Sequence, residues 1–165
     1  MTYRAIYTYA WDIVDHGLTA LIDEISALGI DTLTLAGSYH AGKFLRPQGR
    51  SGKVYFPEDG TVYFRADPSR YGAIKPVPNS ILAERDVLRE ICDGGRVAAN
   101  AWMVLLHNSR LGALYPQATV KNAFGDPLIY SLCPSAPDAR QYAVALCRDV
   151  TESYPVTGVS LETPG

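Results

Sequence analysis

Residues 18–36, LTALIDEISALGIDTLTLA, join a helix pattern directly to a strand pattern and thereby decide the fold class. Gly29 follows the helix pattern, at the place where a residue free to adopt a positive φ ends a helix. Residues 32–36 then have the composition of a strand, and so short a connection is typical of βα units. The apolar side chains of the helix pattern form one stripe: Leu18, Leu21, Ile22, Ile25 and Leu28.

The same alternation extends in both directions along the chain. Residues 97–106 are apolar at nearly every position, as expected of a parallel strand covered on both faces. Four strands with three intervening helices predict right-handed βαβ units and a parallel sheet. The predicted strands cover residues 3–11, 32–36, 97–106 and 158–161, and the predicted helices begin near residues 18, 80 and 135.

Two architectures fit a parallel sheet of this kind. An open flavodoxin-like sheet normally carries a phosphate or cofactor loop after its first strand, but residues 10–17, AWDIVDHG, contain neither GxGxxG nor GxxxxGK[ST]. We therefore interpret residues 1–165 as a single partial domain, the first four βα units of a (β/α)8 barrel. A complete barrel takes about 250 residues, so we expect a fragment, or a half that pairs with a second copy through its exposed edges.

Residues 41–79 interrupt the alternation and predict an insertion after the second strand. Within it, residues 53–64, KVYFPEDGTVYF, place two aromatic and β-branched runs around an Asp-Gly turn, which predicts a β-hairpin. Barrel loops are normally short, so an insertion this long is more often functional, and a decorative cap is the alternative.

Composition narrows the function classes. Lys and Arg number 15 against 17 Asp and Glu, so neither nucleic acid nor a membrane surface is expected as a partner. No apolar run approaches the ~20 residues that cross a bilayer, and the start lacks a signal-peptide pattern. Cys92, Cys133 and Cys147 share no CxxC spacing and predict reduced thiols in a cytoplasmic protein. No motif predicts a cofactor or a metal.

Polar residues cluster where the predicted strands end. Ligands bind at the carboxyl ends of parallel strands, in barrels and in open sheets alike. These ends therefore predict a small-molecule site. Its candidate residues are Trp11, Asp12, Tyr39, His40, His107, Asn108, Arg110 and Glu162.

Three stretches carry a resemblance to a known family: residues 9–47, residues 54–72 and residues 122–146. They resemble the N-terminal part of a bacterial group of (β/α)8-barrel proteins that are similar to glycoside hydrolases. The segment SLCPSAPDARQYAVALCRDV, followed by VTGVSLE, is the most telling. The resemblance implies a carbohydrate as the small-molecule partner.

The resemblance also implies roles for two acids. In barrel glycosidases of the large retaining clan, a glutamate at the end of strand 4 is the general acid/base, and Glu162 occupies that position. An Asn usually precedes it there, whereas Leu161 does here. Glycosidases normally use two carboxylates, and in that clan the second comes from strand 7. Asp12 is the other acid at a strand end, with a sugar-binding or structural role expected before a catalytic one. We expect the chain alone to be inactive.

The remaining candidates suit a sugar site. Trp11 and Tyr39 would offer apolar faces to a pyranose, although packing is an equal alternative for Trp11. His40, His107 and Asn108 would hydrogen-bond hydroxyls, with a core histidine as the alternative for His107. Arg110 would bind a substrate carboxylate or pair with a protein acid.

Two other function classes remain open. A divalent-metal sugar isomerase resembling xylose isomerase would use His40, His107 and Glu162 as ligands, but no HxH or HExxH spacing supports it. A non-catalytic carbohydrate-binding protein would bind sugar without using the acidity of Glu162.

Overall fold

The computed structural model describes residues 3–165, in which four parallel strands are connected by segments that contain helices. The helices are α1 (Ala10–His16), α2 (Leu18–Ala27), α3 (Val87–Gly94), α4 (Ser109–Leu114) and α5 (Pro137–Ser153). The strands are β1 (Ala5–Thr8), β2 (Thr32–Tyr39), β3 (Phe44–Leu45), β4 (Val54–Tyr55), β5 (Thr61–Val62), β6 (Val77–Pro78), β7 (Ala98–Val104), β8 (Thr119–Lys121), β9 (Pro127–Leu132) and β10 (Gly158–Glu162). Short 3₁₀ helices lie at Pro68–Arg70, Ser80–Ala83 and Pro116–Ala118.

A parallel sheet forms the centre of the molecule, in the order β1-β2-β7-β10. Every residue of β2 is buried, because β2 has a neighbouring strand on each side and layers packed on both faces. Leu33 and Leu35 are fully buried in the hydrophobic core. The prediction of an α/β fold with a mostly parallel sheet is confirmed.

One face of this sheet stays partly open. Tyr7, Trp102 and Ser160 lie on it together: the Tyr7 hydroxyl is 2.9 Å from the Ser160 hydroxyl, and the Tyr7 and Trp102 rings meet edge to face at 5.2 Å. Tyr7 is 57% exposed. Within residues 3–165, β1 pairs only with β2 and β10 pairs only with β7, so both outer strands have an unpaired edge.

The prediction for the end of the first strand is wrong. β1 ends at Thr8, and Trp11 and Asp12 lie in α1 rather than at a strand end. Tyr9 is still extended, whereas Ala10, Trp11 and Ile13 are buried with helical spacing. Burial of that helical stripe outweighs the strand propensity of the aromatic residues, because β-propensity depends strongly on context.

The hairpin predicted within residues 53–64 is also wrong. β4 pairs with β3, whereas β5 pairs with the end of β2 and with β6. Gly60 does supply the predicted turn, with φ 61°. Residues 61–64 lie against the central sheet because this buries Val62, Tyr63 and Phe64 almost completely. A hairpin with the exposed Val54 would not bury them.

Two further features depart from the sequence expectations. A hairpin formed by β8 and β9 lies between β7 and α5, in a segment for which the sequence predicts no strand. The second predicted helix begins at Val87, because residues Ser80–Ala83 form a separate 3₁₀ helix and Asp86 caps α3. No helix within residues 3–165 is both long and apolar enough to span a lipid bilayer.

The insertion is anchored to α5 by a buried carboxylate. Asp149 is fully buried, and its Oδ2 accepts hydrogen bonds from the Asp67 backbone N–H at 2.8 Å and the Tyr71 hydroxyl at 2.9 Å. Its Oδ1 accepts one from Ser153 at 3.0 Å and lies 3.3 Å from Arg70 Nε. A buried charge needs such partners, so this contact fixes the insertion against the helix layer.

Candidate functional site

Glu162 ends β10, and its side chain is held by a neighbouring strand. Trp102 Nε1 donates a hydrogen bond to Glu162 Oε2 at 2.7 Å. Within residues 3–165, Oε1 has no hydrogen-bond partner. Thr163, the next residue, has φ 49°, a conformation that is rare for a β-branched residue and that is often found at functional sites. The carboxylate is therefore fixed through one oxygen, and the other is available.

Tyr9 lies between the two predicted acids. Its hydroxyl is 3.2 Å from the Tyr39 hydroxyl, and its ring lies 5.6 Å from that of Trp102. Burial raises the pKa of Tyr9 above its ordinary value, and the hydrogen bond to Tyr39 and the negative charges of Asp12 and Glu162 raise it further. Tyr9 therefore stays protonated and remains a hydrogen-bond donor.

His40 and His107 form a stacked pair of imidazoles. Their ring centroids are 4.5 Å apart with planes at 26°, and His40 also stacks on Tyr39 at 4.4 Å. His40 Nδ1 lies 2.6 Å from the Ala41 carbonyl oxygen. Because a carbonyl only accepts, Nδ1 carries a hydrogen, which makes Nε2 the acceptor atom in the uncharged tautomer.

The charge state of His107 follows from its surroundings. Burial lowers the pKa of His107 below its ordinary value, and the neighbouring His40 lowers it further, while Asp59 and Glu162 act in the opposite direction. His107 is therefore neutral at pH 7. A β-bridge to Ser131 holds its backbone against β9.

Asn108 makes its hydrogen bonds with the backbone. Its Oδ1 accepts from the Leu111 N–H at 2.8 Å and caps α4, and its Nδ2 donates to the Gly60 carbonyl at 3.2 Å. Asn108 is also buried. Its contacts are those of a structural residue and differ from the predicted sugar contact. Arg110 is half-buried and forms no ion pair within the part of the chain that the structure describes.

Trp11 does not present a face to solvent. It is 3% exposed and packs against the rings of Tyr9 at 4.3 Å, Tyr55 at 5.1 Å and Phe44 at 5.4 Å. The packing alternative therefore describes its position, and any influence on a ligand would pass through the stacked Tyr9.

Asp12 belongs to a polar cavity of about 270 Å³ beside β1, which Tyr7 and Tyr9 also line. Its Oδ1 accepts from Arg46 Nε at 2.6 Å. The buried Arg46 also reaches Asp15 Oδ2 at 2.9 Å, and hydrogen bonds from the Arg50 and Ser51 backbone lower the pKa of Asp15. Asp12 is thus an oriented carboxylate, ion-paired on one side.

The structure brings Tyr39, His40 and His107 into direct contact, and it places Glu162 close enough for its charge to act on His107. Sequence reasoning missed Tyr9, Arg46, Asp59 and Trp102. Trp102 lies within an apolar strand pattern, but strand alternation places it on the same face as the polar Asn100. Among residues 3–165 no three His, Cys, Asp or Glu side chains are grouped so as to hold a metal ion.

Two solved structures share this fold. Alpha-L-fucosidase isoenzyme 2 from Paenibacillus thiaminolyticus is 17% identical with a TM-score of 0.64, over 100% of this chain and 24% of that one. The noncanonic maltogenic alpha-amylase AmyB from Thermotoga neapolitana is 16% identical with a TM-score of 0.59, over 99% of this chain and 39% of that one. The chain thus spans less than half of either enzyme. No protein-family model and no curated protein matches the sequence. At this identity, the similarity shows a fold shared with glycoside hydrolases.

Proposed function

We propose that this chain forms one wall of a carbohydrate-active site in a glycoside-hydrolase-like barrel, with Glu162 as its acid/base group. The observation that carries the proposal is the Glu162 carboxylate, held by a hydrogen bond from Trp102 at the end of a parallel strand. Fold similarity alone does not fix chemistry, so the proposal rests on this arrangement.

The proposal gives Glu162 both roles of a general acid/base group. In its protonated form it donates a proton to the oxygen of the leaving group, and as the carboxylate it activates water. Trp102 fixes one oxygen and thereby orients the other. Asp12, oriented by Arg46, binds a sugar hydroxyl rather than acting as the second catalytic carboxylate.

The remaining side chains provide sugar contacts. Tyr39 is buried at the end of β2, so its part is to position the His40 ring that stacks on it. His40 accepts a hydroxyl hydrogen bond through Nε2, and neutral His107 has one donor and one acceptor nitrogen. Arg110, which has no ion-pair partner among residues 3–165, contacts a carboxylate or hydroxyl of the substrate.

We further propose that residues 1–165 are half of a (β/α)8 barrel. Four parallel strands with an open edge at β1 and at β10 support this, because a barrel closes with eight. Further βα units of a longer polypeptide, or a second copy of this chain, would supply the other strands and the second carboxylate. We also propose that the protein is cytoplasmic. The free thiols of Cys92, Cys133 and Cys147 support this location.

The acid/base role is tested in the completed barrel, which is this chain together with the further βα units or the second copy that supply the other strands. There, Glu162→Gln is compared with wild type. We expect hydrolysis of methyl glycosides, whose leaving group needs a proton, to fall at least about 100-fold, the typical contribution of a general acid, while sugar affinity changes little. Glu84→Gln, an exposed change at the start of the α3 region, is the matched control. Unchanged turnover in Glu162→Gln would refute the role, and stoichiometric bound metal would favour the isomerase class.

A further inference from the structure

Asp59 lies in the turn between β4 and β5, where the sequence predicts only a hairpin turn. Its Oδ1 accepts a hydrogen bond at 2.9 Å from the backbone N–H of Ala41, the residue that follows His40. The next residue, Gly60, accepts a hydrogen bond at 3.2 Å from Asn108, the residue that follows His107. The turn is therefore bonded to the chain directly after each imidazole of the stacked pair.

The turn has little freedom to move. A Cβ added to Gly60 would lie 2.0 Å from Asn108 Oδ1, so the Gly60 backbone is in close contact with the Asn108 side chain. On the N-terminal side, Glu58 Oε1 accepts from the Ser80 N–H at 3.1 Å. On the C-terminal side, Thr61 pairs with Tyr39 at the end of β2. The insertion thus holds the Asp59 carboxylate in a fixed place at the carboxyl edge of the sheet.

The free atoms around this turn are hydrogen-bond acceptors. Within residues 3–165, Asp59 Oδ2 has no partner, and neither has Nε2 of His40. Asp59 is half-buried, and it is near enough to His107 for its charge to act on that ring. The Ala41 N–H that Asp59 binds belongs to the residue after His40, so the two acceptors lie on neighbouring parts of the carboxyl edge. Two hydroxyls on neighbouring carbons of a sugar are the matching donors.

We propose that Asp59 is a specificity-determining residue, whose free carboxylate oxygen acts with His40 Nε2 to accept hydrogen bonds from neighbouring hydroxyls of a sugar. This proposal rests on the proposed function, because it takes the carboxyl edge of the sheet as the sugar site. It gives the insertion a direct part in ligand recognition. Sugars that lack one of the two neighbouring hydroxyls would bind more weakly.

The test compares Asp59→Asn with wild type, using L-fucose and maltose as probes. Asn keeps an oxygen for the Ala41 N–H but replaces the free carboxylate oxygen with a donor, so the turn stays folded. We expect affinity, followed by tryptophan fluorescence and calorimetry, to fall about tenfold or more, since hydrogen bonds to charged groups are strong. Asp93→Asn, an exposed change on α3, is the matched control and should bind as wild type does.

A second readout reports whether the Asp59 charge acts on the stacked imidazole pair. Proton NMR titration of His107 should give a lower pKa in Asp59→Asn than in wild type, because a negative charge that raises it is removed. Wild-type affinity in Asp59→Asn would overturn the Asp59 proposal and leave the proposed function standing, and an unchanged His107 pKa would contradict the placement of the Asp59 charge near the stacked pair. If wild type itself binds neither probe, the proposed function fails and the Asp59 role fails with it.

Discussion

Replacing Asp149 with Ala is expected to release the insertion from α5 and to destabilise the whole molecule. Asp149 is fully buried, and three donors at 2.8–3.0 Å together with Arg70 at 3.3 Å converge on its carboxylate. Removing one member of a buried charged network costs about 3–5 kcal/mol, because the remaining groups stay buried without partners. Single domains are stable by roughly 5–15 kcal/mol, so this loss is large.

Urea denaturation followed by circular dichroism measures this change as a difference in the free energy of unfolding. Asp149→Asn keeps the shape and part of the hydrogen bonding, so we expect a smaller loss than for Ala. Asp93→Ala, an exposed change, should stay within about 0.5 kcal/mol of wild type. Limited proteolysis should cut within residues 41–79 faster in Asp149→Ala. A loss below about 1 kcal/mol, with unchanged proteolysis, would refute the anchoring role of this carboxylate.

Three further predictions concern the site itself. Trp102→Phe keeps an aromatic ring but removes the hydrogen bond to Glu162. Turnover of a methyl glycoside by the completed barrel should therefore fall about tenfold, and wild-type turnover would contradict this prediction. The pKa of His107 is lowered in the folded state. The stability that His107 contributes is therefore present above pH 6.5 and is lost as the pH falls through the folded pKa. Urea denaturation at pH 8 and pH 5 should show a smaller pH effect on the free energy of unfolding in His107→Gln than in wild type. Gly60→Ala would place Cβ against Asn108 at positive φ and should lower the free energy of unfolding by about 1–3 kcal/mol. Gly94→Ala, with open space around it, should not lower it, and equal melting temperatures of the two variants would contradict this difference.

The central sheet is predictable because its signals are local. The apolar stripe of residues 18–28 needs a specific layer to pack against, and so does the apolar run of residues 97–106. The helix and the strand that carry them lie where the sequence predicts them. The end of β1 is not predictable in the same way. Residues 9–11 combine strand propensity with apolar spacing that also fits a helix, and tertiary burial of Trp11 decides between the two.

The candidate site is predictable only where a side chain follows a strand directly. His40 comes directly after β2, and Glu162 is the last residue of β10. His107 comes directly after the predicted strand of residues 97–106, although β7 ends at Val104, and its ring stacks on that of His40. Trp102 lies inside a strand, and its contact with Glu162 depends on the register between β7 and β10. Asp59 comes from the insertion, whose pairing with β2 depends on long-range burial that local pattern does not encode.

The most direct test of the account is a ¹H–¹⁵N chemical-shift titration of this chain with maltose and with L-fucose. The account predicts saturable shifts confined to the carboxyl edge of the sheet, at Tyr39, His40, Asp59, His107 and Glu162. Shifts confined to the helix layer, or no saturable shift with either sugar, would contradict a carbohydrate site at this edge.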